Sequence, residues 1–421
     1  MLKKISLISI LFFIAIFSSS CFDAHEVDDY AYVTTIGIDK GVADKWRFSF
    51  QISDMRSSSK PQGLSEQGKT DYVTLTIDAP AFFKATNVLD TSLARMLNFR
   101  HTKYLIISRE VAERGEFGDV MGPIIRFREI RRNVNVIVSE GTAESFIDNL
   151  KPAVGLSMPK MQEGFMEISK QTGFSPQIKL NDFYSSLKST YRQPIAIMAG
   201  VNDFSHLPKN DGGGDAEQVF IGERYAGELP RKGGNHIELF GTALFDGDKM
   251  VHKLDGYETR VMLMLRGEFE RGVFSHHDPL RPDLDVAVDL SQHNEPKVKV
   301  AFDEGKPVIY VNIRLDGTIL AIQSRINYEK TDMIGYLEGL IETTIKQEAD
   351  ALIEKAKELN VDFLNFGNYV VKRFSTIQEW EKYNWLEKFK DIKAVVTVDA
   401  KIRRTGTMIK SSPVLQKGGG E

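Results

Sequence analysis

Two kinds of hydrophobic spacing divide this chain. In "AYVTTIGID" (31–39) and "KWRFSFQIS" (45–53) β-branched and aromatic residues dominate, and Trp46, Phe48, Phe50 and Ile52 alternate with polar positions. That period of two predicts strands, with "KGVAD" as the turn between them. "YVTLTID" (72–78) predicts a third strand beyond a polar loop at 56–70, so the chain starts as an antiparallel meander. From Asp78 the period lengthens. Pro80 suits a first helical turn, and Phe83, Val88, Leu89, Leu93, Met96 and Leu97 fall mainly on one face. Strand patterns at 103–108 and 133–139 then alternate with helical ones at 109–131 and 142–150, with a break expected at Gly122–Pro123. This alternation predicts that part of the sheet is parallel. A helix at 181–189 and a strand at 194–201 follow.

Residues 202–235 are glycine-rich and charged, as in "NDGGGDAEQ", and read as an insertion or linker. Strands resume at 236–245 and 249–254. The run "VMLML" (261–265) suits a buried strand, although the period of 259–267 does not separate strand from short helix. Alternating segments at 285–292, 297–303 and 307–320 read as strands. From Thr331 to Leu359, apolar residues recur at 334, 337, 341, 345, 349, 352, 356 and 359. This predicts one helix of about 43 Å that packs its stripe on its own sheet. Glu338, Glu342, Lys346, Asp350, Glu354, Lys357 and Glu358 are expected on the opposite, solvated side. Helical and aromatic segments at 362–374 and 380–389, with Trp380 and Trp385 at a helix–sheet joint, lead to a last strand at 392–406.

The expected fold class is therefore α+β (mixed α/β). It has several domains, mostly antiparallel or mixed sheets flanked by helices, and a long helix near 331–359. The expected sections are a signal at 1–20, a tether at 21–30, an N-terminal α/β domain at 31–201 and a middle domain with the glycine-rich insertion at 202–258. A C-terminal α+β domain at 259–410 and a flexible tail at 411–421 complete them.

Composition narrows the function. At 421 residues, 42% hydrophobic and 27% charged, the chain is an ordinary globular one. Its net charge of −4 offers no basic surplus for nucleic acid, and "KIRR" (401–404) is too short to change that. The eight histidines form neither H-E-x-x-H nor a zinc-finger spacing. "SHHDP" (275–279) is the best metal candidate, but three neighbours on a loop rarely converge on one ion. No Gly-x-Ser-x-Gly elbow occurs, and "DGGGD" lacks the Lys-Ser/Thr of a phosphate loop. The expectation is no catalytic residue, no metal and no cofactor.

The N-terminus is the informative part. Lys3 and Lys4 precede an apolar stretch, Ile5–Phe17, then Ser18, Ser19 and Ser20, then Cys21, the single cysteine of the chain. This is the layout of a secretory signal, too short for a comfortable transmembrane helix of about 20 residues. A lone cysteine excludes an intramolecular disulfide and a thiolate cluster. Directly after a signal it reads as the site of lipidation, a diacylglyceryl group on Cys21, although Ser18 stands where lipoprotein signals usually place leucine. The plainer readings are a secretory signal followed by an incidental thiol, or an uncleaved anchor.

Four segments together resemble the C subunit of bacterial spore germinant receptors, the Ger(x)C lipoprotein family. They are "CFDAHEVDDYAYVTTIGIDK", "GTALFDGDKMVHKL" (241–254), "KVKV" to "VNIRLDGTI", and "VDFLNFGNYV" through "NWLEKF" to "VVTVDAKIRRTG". "IGID" (36–39), Phe366–Gly367, Trp385 and Gly406 match well. Phe22 stands where the family usually has tryptophan. The resemblance implies a three-domain lipoprotein without catalysis, held on the outer face of the spore inner membrane. It implies germinant receptor A and B subunits as partners, no nucleic acid, and a role in receptor assembly or signalling. A solute-binding lipoprotein of a transporter and an envelope hydrolase are the alternatives.

Overall fold

A computed structural model describes residues 29–53, 72–152, 157–205, 221–406, 408 and 410–412. The expected signal, Cys21, most of the tether, the 56–70 loop, the 211–214 glycines and most of the tail lie outside the described residues.

The elements run β1 (Tyr30–Lys40), β2 (Trp46–Ser53), β3 (Tyr72–Ala79), α1 (Phe82–Leu93), β4 (Met96–Asn98), β5 (Tyr104–Ser108), α2 (Arg109–Arg114), α3 (Phe117–Arg126), β6 (Asn135–Ser139) and α4 (Ala143–Asn149). Then come α5 (Met158–Thr172), α6 (Leu180–Leu187), β7 (Ile195–Val201), β8 (Ile237–Asp246), β9 (Lys249–Leu254), α7 (Gly256–Arg266), β10 (Arg271–Asp278), β11 (Arg281–Ser291), β12 (Lys297–Asp303) and β13 (Lys306–Ile322). The chain ends with α8 (Thr331–Leu359), α9 (Gly367–Val370), α10 (Ile377–Tyr383), α11 (Trp385–Lys388) and β14 (Lys393–Arg404). This is the mixed α/β fold the patterns predict, with the long helix where the stripe placed it.

The first sheet has nine strands in the order β3-β2-β1-β5-β6-β7-β8-β9, with β4 beside the start of β1. Its outer strands are antiparallel, as the meander predicts. Its centre, β1-β5-β6-β7, is parallel, as the helix–strand alternation predicts. Both faces are covered. Leu105, Ile107, Val136 and Val138 point into one core, while Tyr104, Ile106 and Ile137 point into another beneath α4 and α5. Segment 202–258 supplies β8 and β9 to this sheet and the start of α7.

The second sheet has five strands. Residues 308–312 of β13 pair with β12 on one edge and with β14 on the other. β11 and β12 therefore share one edge of β13. Ser291 pairs with Asp316 and Lys297 with Asn312, so a wide bulge at 292–296 separates them. Gly267, at the end of α7, sits against Glu295 and Pro296 of that bulge.

α8 lies on this sheet through Leu337, Ile341, Ile345, Ala349, Leu352 and Ala356, all buried. Two of its expected solvent-facing residues are not free. Glu338 accepts the backbone N–H of Ile402 (2.8 Å), and Glu342 that of Ala400 (3.0 Å). The helix thus satisfies part of the open edge of β14, which would otherwise be a template for pairing.

Three further expectations are corrected. "VMLML" is helical: it forms the middle of α7, whose residues Val261–Leu265 are all buried. A helix covered all round has no polar face, so periodicity carries no signal. The capping box that starts it, Asp255 with Glu258, was the readable sign. The helical break in 109–131 falls at Gly115, in left-handed conformation, while Pro123 sits inside α3. "SHHDP" begins on β10, not on a loop. α5 was not foreseen.

Candidate functional site

The described chain enters the first sheet at Tyr30, nine residues after Cys21. Fully extended, nine residues reach about 30 Å. Any group carried by Cys21 is therefore within about 30 Å of the start of β1. There the Tyr32 ring meets the His101 ring edge-on at 5.1 Å.

The metal candidate does not assemble. On β10, His276 and Asp278 face inward and His277 outward, since neighbours on a strand alternate. Burial pushes His276 down to about 4, so it is neutral near pH 7. Asp278 accepts from Ser324 Oγ (2.5 Å) and Tyr328 Oη (2.6 Å). His277 pairs with Asp285 at 3.1 Å. Among the described residues no group of three or more His, Cys, Asp or Glu is placed to hold a metal ion, and no helix is long and apolar enough to cross a membrane.

The quoted segments turn out to position elements. In "IGID", Asp39 accepts the N–H groups of Ala143 (2.7 Å) and Glu144 (2.9 Å) at the start of α4. Burial lifts its carboxyl above the usual value, against the pull of those donors. A Cβ on Gly37 would come within 2.7 Å of Ile147 Cδ1, so α4 lies flat on β1.

In "VDFLNFGNYV", Asp362 is fully buried. It accepts from the N–H groups of Phe366 (3.0 Å) and Gly367 (2.7 Å) and from Trp385 Nε1 (3.0 Å). Its own N–H donates to Gln193 Oε1 (2.6 Å), and Gln193 Nε2 donates to Asp246 Oδ1 (2.8 Å) on β8. Burial raises the Asp362 carboxyl to about 6 despite these donors. A Cβ on Gly367 would sit 2.0 Å from the Tyr191 carbonyl oxygen, which admits glycine alone. Asp362 therefore joins the C-terminal segment to the first sheet. Trp380 and Trp385 are buried beside it with rings 6.0 Å apart.

Sequence reasoning passed over one feature. "RFREIRRN" (126–133) holds four arginines in seven residues, a denser basic run than the one it weighed. Arg126, Arg128, Arg131 and Arg132 are exposed around an open cavity of about 830 Å³. Among the described residues no carboxylate lines it; Phe127, Ile130, Asn181 and Tyr184 complete much of the wall. Among the described residues none of these four arginines forms an ion pair. In "KIRR", by contrast, Lys401 pairs with Glu338 (3.1 Å) and Arg403 with Asp316 (3.0 Å).

Mixed sheets held together by buried carboxylates define a fold class rather than a function. Comparison with known families narrows this. The family described as "Spore germination protein N-terminal domain" matches residues 23–201. "Spore germination B3/ GerAC like, C-terminal" matches residues 240–406. The chain is 20% identical to spore germination protein KC of Bacillus subtilis (strain 168), over 98% of each chain. It is 20% identical to spore germination protein B3 of the same organism, over 97% of this chain and 100% of that one. It is 23% identical to spore germination protein GerQC of Bacillus cereus, over 94% and 98%. The chain belongs to the GerAC-like family of spore germination proteins.

Proposed function

We propose that this chain is the lipid-anchored, non-enzymatic C subunit of a nutrient germinant receptor, held on the outer face of the spore inner membrane through a diacylglyceryl group on Cys21. It acts with the A and B subunits in receptor assembly or signalling. The observation that carries the reading is the lone Cys21, directly behind a signal-like stretch, in a chain of the GerAC-like family. Two acyl chains give the stable anchoring that one provides only marginally, at roughly 0.8 kcal/mol for each buried CH₂.

The test is membrane fractionation of parent and Cys21→Ala spores, with fatty-acid labelling. The parent is expected in the carbonate-washed membrane with label on the chain. The Cys21→Ala protein is expected unlabelled and in the wash, with germination by one class of nutrient lost. A labelled Cys21→Ala protein, or normal germination after deletion of the chain in a strain without redundant receptors, overturns the reading.

A further inference from the structure

We propose that the arginine-lined cavity formed by Arg126, Arg128, Arg131 and Arg132 binds the phosphodiester headgroups of anionic membrane lipids and so sets how the chain sits on the membrane beside its anchor. This rests on the reading of Cys21 as a lipid attachment.

Topology places the cavity and the start of β1 at one end of the first sheet. β1, β5 and β6 are parallel neighbours, so all three start at the same end of the sheet. The arginine run leads directly into β6, and the segment from Cys21 leads directly into β1. The gap between them is bridged by packed side chains. Tyr32 of β1 touches His101, and Arg131 lies close enough to His101 to disfavour its protonation, with burial as the larger cause. Phe127 of the run packs on Phe99 (5.7 Å), immediately after β4, which pairs with Tyr30–Tyr32.

Charge identifies the occupant. Four exposed guanidinium groups, without carboxylate partners among the described residues, form a local positive patch that a multivalent anion can share. Guanidinium forks match phosphate oxygens with paired hydrogen bonds. Phe127, Ile130 and Tyr184 give the cavity the mixed polar and aromatic wall that suits a membrane interface. The rest of the chain carries a net negative charge, so attraction to an anionic surface must be local to this end. Glu129, within the run, faces the Phe99 N–H (3.5 Å), and Glu163 pairs with Lys103 (2.7 Å). Asp182 lies in the first turn of α6, whose Asn181 and Tyr184 line the cavity, and the sequence before β1 carries Asp23, Glu26, Asp28 and Asp29.

The experiment uses the full chain carrying Cys21→Ala, which removes the acyl chains and leaves the arginines. Sedimentation with vesicles of phosphatidylglycerol in phosphatidylcholine is compared with phosphatidylcholine alone. Binding is expected on the anionic vesicles and to fall steeply with salt. Removing charge weakens it by roughly fivefold for each arginine, so Arg126→Gln, Arg128→Gln, Arg131→Gln and Arg132→Gln together weaken it by roughly 600-fold. The control Lys401→Gln with Arg403→Gln is expected to bind as the parent does, because those cations are already paired. Replacing the four arginines by lysine is expected to keep part of the binding, and an unchanged melting curve shows that each variant is folded.

Equal binding to neutral and anionic vesicles overturns the proposal. So does an unaffected fourfold glutamine variant. So does the absence of binding both in the parent sequence and after Asp23→Asn, Glu26→Gln and Asp28→Asn remove competing acids. Displacement by inorganic phosphate at constant ionic strength would make this a site for free anions and would overturn the membrane assignment. Fatty-acid labelling of the parent chain reads the anchor separately, so failure at Cys21 and failure at the arginines are distinguishable.

Discussion

The two sheets solve the burial problem differently. The first is parallel at its centre and buried on both faces, so β5, β6 and β7 are nearly continuous apolar runs. The second is covered by α7 and α8 on one face and open on the other. Its strands β10 and β13 therefore alternate buried and exposed residues. Parallel strands need crossover helices, which cover the faces; antiparallel strands do not. On the open face Tyr310 and Val395, paired in register, are 47% and 45% exposed.

The contrast can be broken most severely at the joint. Asp362→Ala leaves three donors without an acceptor in a buried site, at about 1–3 kcal/mol each. A loss of at least about 3 kcal/mol in urea unfolding is expected, and Gly367→Ala should be similarly damaging. If either is nearly neutral, the C-terminal segment does not depend on that joint. Ile106→Ala in the twice-covered sheet and Ile313→Ala on the covered face of the second should each cost about 2–5 kcal/mol. Equal costs would show that the covered face of the second sheet is packed as tightly as the first.

Next in size is a pH effect. The Asp362 carboxyl holds its proton up to about 6 in the folded chain, above its unfolded value. The folded state therefore binds more protons between about pH 4 and 6, and stability falls as pH rises through that window. The slope is at most about 1.4 kcal/mol per unit. Urea midpoints from pH 4 to 7 should show this decline for the parent and less of it for Asp362→Asn. The smallest effect is on the open face. Tyr310→Ser and Val395→Thr should change stability by about 0.5 kcal/mol or less. A larger loss would mean that the face is covered.

Legibility followed the same contrast. The long helix and the alternating strands of the second sheet were visible because one face of each meets water, which imprints a period; β2 was visible because apolar Phe48 and Phe50 alternate with polar Ser49 and Gln51, although all four are buried. α7 was not, because Thr259–Leu265 are buried on all its sides, polar and apolar alike. Gly37, Asp39, Phe366, Gly367 and Trp385 could be picked out by resemblance, yet their roles as clamps depend on what folds against them. The arginine run was in plain view as composition, but its net weight was hidden in a chain of negative total charge.

The amino-acid order alone set the strand and helix types wherever burial is one-sided, marked Cys21 as singular, and carried the family likeness. Only the tertiary structure decided which strands are neighbours, which charges are paired and which end of the molecule gathers the arginines beside the chain's entry. Those outcomes depend on contacts between residues far apart in sequence. Lys401 pairs with Glu338 across 63 positions, while Arg131 has no ion pair among the described residues, and no local pattern distinguishes them.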